Sequence, residues 1–145
     1  MKGMWINIVM SSKSETILSQ QTHPGDSVEE TAIGDKFKGD GFYGRSDGLH
    51  TIQIDLDGFI GRIEIQATLD IDPIEDDWFT IELGTGRQSV DTTGLIREED
   101  NLTFLEYIES TTHSKTYNFT GNYVWVRVKV SEWTDGTVNR VLLNH

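Results

Sequence analysis

The chain has 145 residues, enough for one domain with its own core and too few for two comfortable ones. Its 24 acids outnumber its 12 bases, giving a formal charge of -12. That balance excludes the basic surface on which nucleic-acid binding depends and sets the protein against an anionic membrane. With no cysteine, disulfides, thiolate metal sites and a cysteine nucleophile are ruled out.

No run of residues is apolar enough to span a bilayer. The opening "MKGMWINIVMSSKS" has one early lysine and a short apolar run, but no long hydrophobic region, and reads poorly as a signal peptide. "MWINIV" alternates weakly and predicts a first short strand. Ser11 to Lys38 is polar, with a turn signal at Pro24 and Gly25 and no helical apolar face. It reads as an extended arm, mobile unless a partner holds it. The expected division is therefore residues 1–36 as strand and arm, and 37–145 as the folded domain.

From Phe37 the texture changes. "FKGDGFYGRSDGLH" carries Gly39, Gly41, Gly44 and Gly48 around Phe42 and Tyr43, a density of glycine that suits bends and not a helix. It is superficially like a phosphate-binding loop, but a strand follows where such a loop needs a helix N-terminus. "TIQIDL" places Ile52, Ile54 and Leu56 on one face, and Asp57-Gly58 reads as a hairpin-type turn. In "GFIGRIEIQATL", Phe59, Ile63, Ile65, Ala67 and Leu69 share one parity, the mark of a half-buried strand. Phe79, Ile81 and Leu83 then alternate with Trp78, Thr80 and Glu82, before "GTG" breaks the chain. "GLIREEDNLTFLEYIES" fits a short helix through Leu102, Leu105 and Ile108, or a strand entered by a loop. Asn101 and Thr103 favour the strand. Val124, Val126, Val128 and Val130 form the apolar face of a central strand, a second Asp-Gly turn is expected at Asp135 and Gly136, and "VNRVLLNH" reads as the last strand. The sum is an all-β fold, a single antiparallel β-sandwich, jelly-roll-like, with an extended N-terminal arm.

Between the two central strands lies a run of acids: Asp70, Asp72, Glu75, Asp76 and Asp77, with Pro73 among them. Clustered carboxylates can hold calcium, but the spacing does not match a calcium-binding EF-hand loop. A solvated turn, with Pro73 fixing one φ, is the preferred reading. No cofactor is expected, with calcium at the Asp70–Asp77 loop as the single alternative. Trp78, Trp133, Asp76 and Asp77 are the candidate contacts to a partner or a glycan. Trp78 opens a strand on its polar face, and Trp133 sits beside an expected loop tip. Trp125 and Tyr123 lie opposite the valines, where such rings stack on sugars or pack on another chain unless the fold covers them; partial cover by the chain itself is expected for Trp125. The histidines His23, His50, His113 and His145 read as scattered in loops or at the end of the sequence, without ligand spacing. No Gly-x-Ser-x-Gly or His-Glu-x-x-His is present, so no enzyme is expected.

Four segments taken together, "GDGFYGRSDGLHTIQ", "GFIGRIEIQATL", "DPIEDDWF" and "FTGNYVWVRVKV…GTVNRVLLNH", resemble small virion structural proteins of tailed bacteriophages, notably myoviruses of marine bacteria and cyanobacteria. The resemblance runs from about Phe37 to His145. It implies a sandwich with a place in the tail, neck, baseplate or capsid. It also implies other virion proteins as partners, self-association within the particle, and assembly in the host cytoplasm. It carries over no catalytic residue. A looser likeness to discoidin-type sandwiches rests on "GRIEIQATL" followed by "DWF", and implies sugar or surface binding as the alternative function.

Overall fold

Two strands of twenty residues each carry the structure. The computed structural model describes residues 14–45, 47–84, 88–90, 96–98 and 102–145, with backbone alone at 88–90 and 96–98. In chain order the strands are β1 (Ser14–Leu18), β2 (Gln21–Thr22), β3 (Glu30–Ile33), β4 (Phe37–Lys38), β5 (Leu49–Thr68), β6 (Phe79–Thr80), β7 (Gln88–Val90), β8 (Ile96–Glu98), β9 (Leu105–Thr120) and β10 (Trp125–Asn144). β5 and β10 pair antiparallel along their full length, from Thr68 opposite Trp125 to Thr51 opposite Asn144. The other edge of β5 takes β9 and then β6. β7 and β8 form a separate ribbon. The expected strand at "MWINIV" lies outside the described residues, as do most of the "GTG" break and part of the stretch before β9.

The other edge of β10 is covered by the polar segment that reads as an arm. β1, β2, β3 and β4 pair in turn with Asn144, Thr137, Val130 and Val126. Ser14–Lys38 is extended, as expected, but it is held by its own chain. Its low apolar content misleads because the backbone supplies the bonding. A strand edge offers N–H and C=O groups to any extended segment, whatever its side chains. Ile17 and Leu18 turn into the core and anchor the strap at one end.

The core is one cluster drawn from both halves of each long strand: Ile52, Ile54 and Leu56 with Phe59, Ile63 and Ile65 from β5, and Val126, Val128 and Val130 with Val138, Val141 and Leu143 from β10. For two halves of a strand to line one core, the sheet must bend around it, which makes the sandwich. The bend sits where the two Asp-Gly pairs lie. Neither is a hairpin turn. Asp57-Gly58 falls inside β5 and Asp135-Gly136 inside β10, where the ladder registers shift. Gly58 and Gly136 have φ of 62° and 85°, a region other residues enter at a cost of roughly 1–2 kcal/mol. A bulge adds one residue and so swaps the parity that faces inward. Buried positions accordingly pass from even (Ile52, Ile54, Leu56) to odd (Phe59, Ile63, Ile65, Ala67) across Gly58, and from even to odd again between Val130 and Leu143. A turn and a bulge both need positive φ, so local sequence does not separate them.

Three residues expected in the core lie outside it. Val124 stands just ahead of β10 and is half-buried. Leu69 is past the end of β5 and exposed, and Phe79, on the two-residue β6, is 47% exposed, while Ile81 and Leu83 are buried as expected. β9 settles the helix-or-strand choice in favour of the strand.

The two kinks press on each other: a Cβ at Gly136 would overlap the carbonyl of Gly58, whereas one at Gly44, also at positive φ, meets nothing. Gly136→Ala is expected to cost at least about 3 kcal/mol, and Gly44→Ala only roughly 1–2 kcal/mol, in urea denaturation. Equal costs would contradict the stacked kinks.

Candidate functional site

The acidic run is the loop between β5 and β6, and its flanks pair as a hairpin, Gln66 opposite Thr80. Its carboxylates do separate jobs. Asp70 accepts the amide of Asp72 at 2.9 Å, and Asp77 accepts the amide of Ile74 at 2.8 Å. These are the local side-chain-to-backbone bonds that make Asp a turn former. Glu75 opens a single 3-10 turn, Glu75–Asp77, and reaches Arg127 of β10 through two bonds of 3.2 and 2.6 Å. Asp72 and Asp76 point to solvent. The loop is thus an internally braced turn.

Arg127 organises this end of the sheet. It is 7% exposed, and its Nε donates to Gln66 at 2.8 Å. Its guanidinium lies 4.2 Å over the Trp78 ring. The half-buried Trp125 beside it donates from Nε1 to the Ile71 carbonyl at 2.9 Å. It has Phe42 at 5.1 Å and the Lys36 ammonium at 4.6 Å, the partial cover expected for it. Between the loop and residues 34–36 is a cleft of about 260 Å³ lined by Asp35, Lys36, Glu75, Trp78 and Arg127. Exposed Ile74 lines it too; Leu69 and Ile71 are exposed on the same loop, Phe79 is exposed against Tyr123, and Phe42 and Tyr43 are exposed on the turn beside Trp125. Asp76, Asp77 and Trp78 therefore share one end of the fold.

Trp133 does not join them. Expected at an exposed tip, it is 3% exposed, with its ring against Phe59 and His23 and its Nε1 donating to Asp135 at 3.1 Å. The bulge that replaces the expected hairpin is what turns it inward.

Two histidine clusters were not visible as such in the sequence. His23 is buried, with Nδ1 accepting the Gly25 amide at 2.9 Å and Nε2 donating to the Val28 carbonyl at 2.7 Å; Glu30 and Asp26 lie 3.6 and 4.0 Å from Nε2. Both ring nitrogens are engaged in bracing the turn between β2 and β3. The other cluster joins Asp40, His50 and His145. His50 lies in β5, not in a loop, and is fully buried. Its Nδ1 must carry the proton, because its partner at 2.7 Å is the Gly48 carbonyl. Burial pushes the His50 imidazole down from its ordinary pKa. His145 Nδ1 is 2.6 Å from Asp40 Oδ1 and its Nε2 is 3.5 Å from Glu15. Burial would raise the Asp40 carboxyl, but the hydrogen bonds and charges around it, led by the bond from His145, hold it below its usual value. His113 is also in a strand, β9. The one sequence signal for the cluster is parity. His50 continues the inward positions Ile52 and Ile54, and His145 continues Val141 and Leu143.

No protein-family model matches the sequence, and no curated protein is similar to it. Among solved structures, the SPBc2 prophage-derived protein YomS is similar in fold: 13% identity, TM-score 0.51, covering 95% of this chain and 97% of that one. The family 29 carbohydrate-binding module CBM29_1 from Piromyces equi matches with 9% identity and TM-score 0.43, over 92% and 91% of the two chains. At such identities the first likeness bears on the fold alone: an all-β sandwich shared along nearly the whole of both chains.

Two outcomes check this geometry. Trp133→Ala is expected to cost about 3–5 kcal/mol in chemical denaturation, the penalty of a core aromatic; a surface contact would change stability by less than about 0.5 kcal/mol. The hydrogen bonds from Arg127 hold the Glu75 carboxyl below its ordinary 4.5. A depressed carboxyl stabilises the fold above its unfolded pKa and loses that effect as pH falls through the folded one. Glu75→Gln should therefore lower the melting temperature at pH 7, and the two proteins should converge as pH drops well below 4.5. A gap that persisted in acid would refute the pair.

Proposed function

We propose that the protein is a non-enzymatic structural component of a tailed-phage particle, attached to other virion proteins through the end of the sandwich that carries the acidic loop. The observation that carries this reading is the grouping of large apolar side chains exposed there. Leu69, Ile71 and Ile74 are 63%, 69% and 67% exposed on the loop; exposed Phe42 packs on the Trp125 that bonds the Ile71 carbonyl, with Tyr43 against it, and exposed Phe79 opens β6 where the loop ends. Single exposed aliphatics are ordinary, but an adjoining set rimmed by charge marks a contact surface. The rim is acidic along the loop, through Asp70, Asp72 and Asp76, and basic on the aromatic side, where Lys36, Lys38 and Arg45 lie over Trp125, Phe42 and Tyr43. The complementary partner presents an apolar centre with basic residues facing the loop and acidic ones facing Lys38 and Arg45. Copies of this chain, at -12 each, repel tip to tip, so self-association within the particle would use another face.

The fold shared with a prophage-derived protein and the sequence resemblance to virion proteins support the same reading. Among the described residues no helix is long and apolar enough to cross a membrane. A glycan-binding module is the second reading, favoured by the cleft beside Trp78 and its polar lining of Asp35, Lys36, Glu75 and Arg127. Against it, the Arg127 guanidinium already covers one face of the indole, leaving less ring for a sugar to stack on.

The test is incorporation into particles. Ile71→Ser, Ile74→Ser and Phe79→Ser combined are expected to leave thermal stability within the small range of surface substitutions and to reduce the protein's copy number on purified particles at least about tenfold, as loss of central contacts does. Undiminished incorporation, or absence of the wild-type protein from particles, would overturn the proposal. A glycan array positive for the wild type and blank for Trp78→Ala would move the assignment to the second reading.

A further inference from the structure

We infer that Asp40, His50 and His145 form a binding site for a divalent transition-metal ion of the zinc kind, clamping the end of the sandwich where β1 pairs with the last residues of β10. One donor atom from each lies within 4.8 Å of the other two. Two imidazoles and one carboxylate are a donor set that zinc accepts, with a fourth position left for water. Imidazoles bound tetrahedrally to one ion at ~2.0–2.1 Å have ring centroids about 5 Å apart, and those of His50 and His145 are 5.2 Å apart.

The surroundings of each ring point the same way. A metal-bound histidine nearly always donates its other N–H to a carbonyl or a carboxylate, which fixes the tautomer and aims the free lone pair. His50 does this: Nδ1–H donates to the Gly48 carbonyl, so Nε2 is the acceptor, with its lone pair toward the Asp40 amide. His145 has the matching arrangement, with Nε2 toward the Glu15 carboxylate and Nδ1 toward Asp40. The ring of His50 is further fixed by stacking on Phe119 at 4.5 Å. The same criterion rejects the His23 cluster, where an amide fills one ring nitrogen and a carbonyl takes the other, both at short distance.

Two groups compete with an ion for these donors. The Asp40 amide donates to His50 Nε2, but at a long 3.3 Å. Arg45 Nη1 stands 3.4 Å from both Asp40 Oδ1 and His145 Nδ1. Its side chain is 46% exposed, so it can leave for solvent when a cation takes its place. On binding, the proton shared by His145 and Asp40 is released to water, since a ligand nitrogen must offer its lone pair. The donors come from the turn after β4, the first residues of β5 and the residue following β10. The ion would tie three segments together, and Glu15 adds β1 as a fourth.

The experiment uses the full chain, stripped with chelator and dialysed against zinc. The wild type should take up one zinc per chain, melt at a higher temperature with zinc than without, and give a tetrahedral visible spectrum with cobalt. His145→Ala and Asp40→Asn, checked for folding in chelator, should weaken uptake at least about tenfold. Arg45→Ala should tighten it by removing the competing charge, and His23→Gln should leave it unchanged. No uptake by the wild type at high micromolar zinc would overturn the proposal. So would uptake by His145→Ala and Asp40→Asn equal to wild type, or loss confined to His23→Gln.

Discussion

The rest of the structure depends on the ladder between β5 and β10. Each is twenty residues long, and they stay paired from end to end. Strands of that length in a flat sheet would expose one apolar face to water. The sheet bends instead, at bulges in both strands, so that the inward side chains of the upper and lower halves meet. Both glycines at the bend hold a positive φ, and Gly136 has in addition the backbone of Gly58 where a side chain would be. Once the ladder has closed, the edge of β10 is a template, and the polar strap of Ser14–Lys38 adds to it through backbone bonds.

The bent ladder also decides what each of its tips can offer. At one end β5 stops at Thr68 and the chain swings out through the acidic loop to β6. Arg127 holds that loop by Glu75 and backs Trp78, so Ile71 and Ile74 are presented to solvent on a braced support. A rigid apolar surface loses little conformational freedom on docking, which favours it as a contact. At the other end of the ladder, which the bend brings back beside the first, the start of β5 and the end of β10 lie together because the strands are antiparallel. That is why His50 and His145, ninety-five positions apart in sequence, both reach Asp40, His50 at its amide and His145 at its carboxylate.

Several features were legible without the structure. Alternation marked Ile52–Leu56, Ile63–Ala67 and Val126–Val130 as inward, and each is buried. The acids around Pro73 read as a turn, and they brace one. The site was less legible. Trp78, Asp76 and Asp77 fall at one end together, but the contribution of Arg127 depends on a pairing between β5 and β10 that no local pattern states. Trp133 looked like a tip residue only because Asp135-Gly136 looked like a hairpin turn.

The sequence by itself determined the strand periods, the apolar faces, the acidic surface and the absence of thiol chemistry, because these depend on residue type and on neighbours a few positions away. Tertiary structure alone decided that two Asp-Gly pairs are bulges, that the polar N-terminal segment is a strap, that Trp133 is core and that Asp40, His50 and His145 converge. Each of those depends on register between distant segments. One extra residue in a strand reverses which side faces inward, and that choice is made by the partner strand across the ladder, not by the residues on either side in the chain.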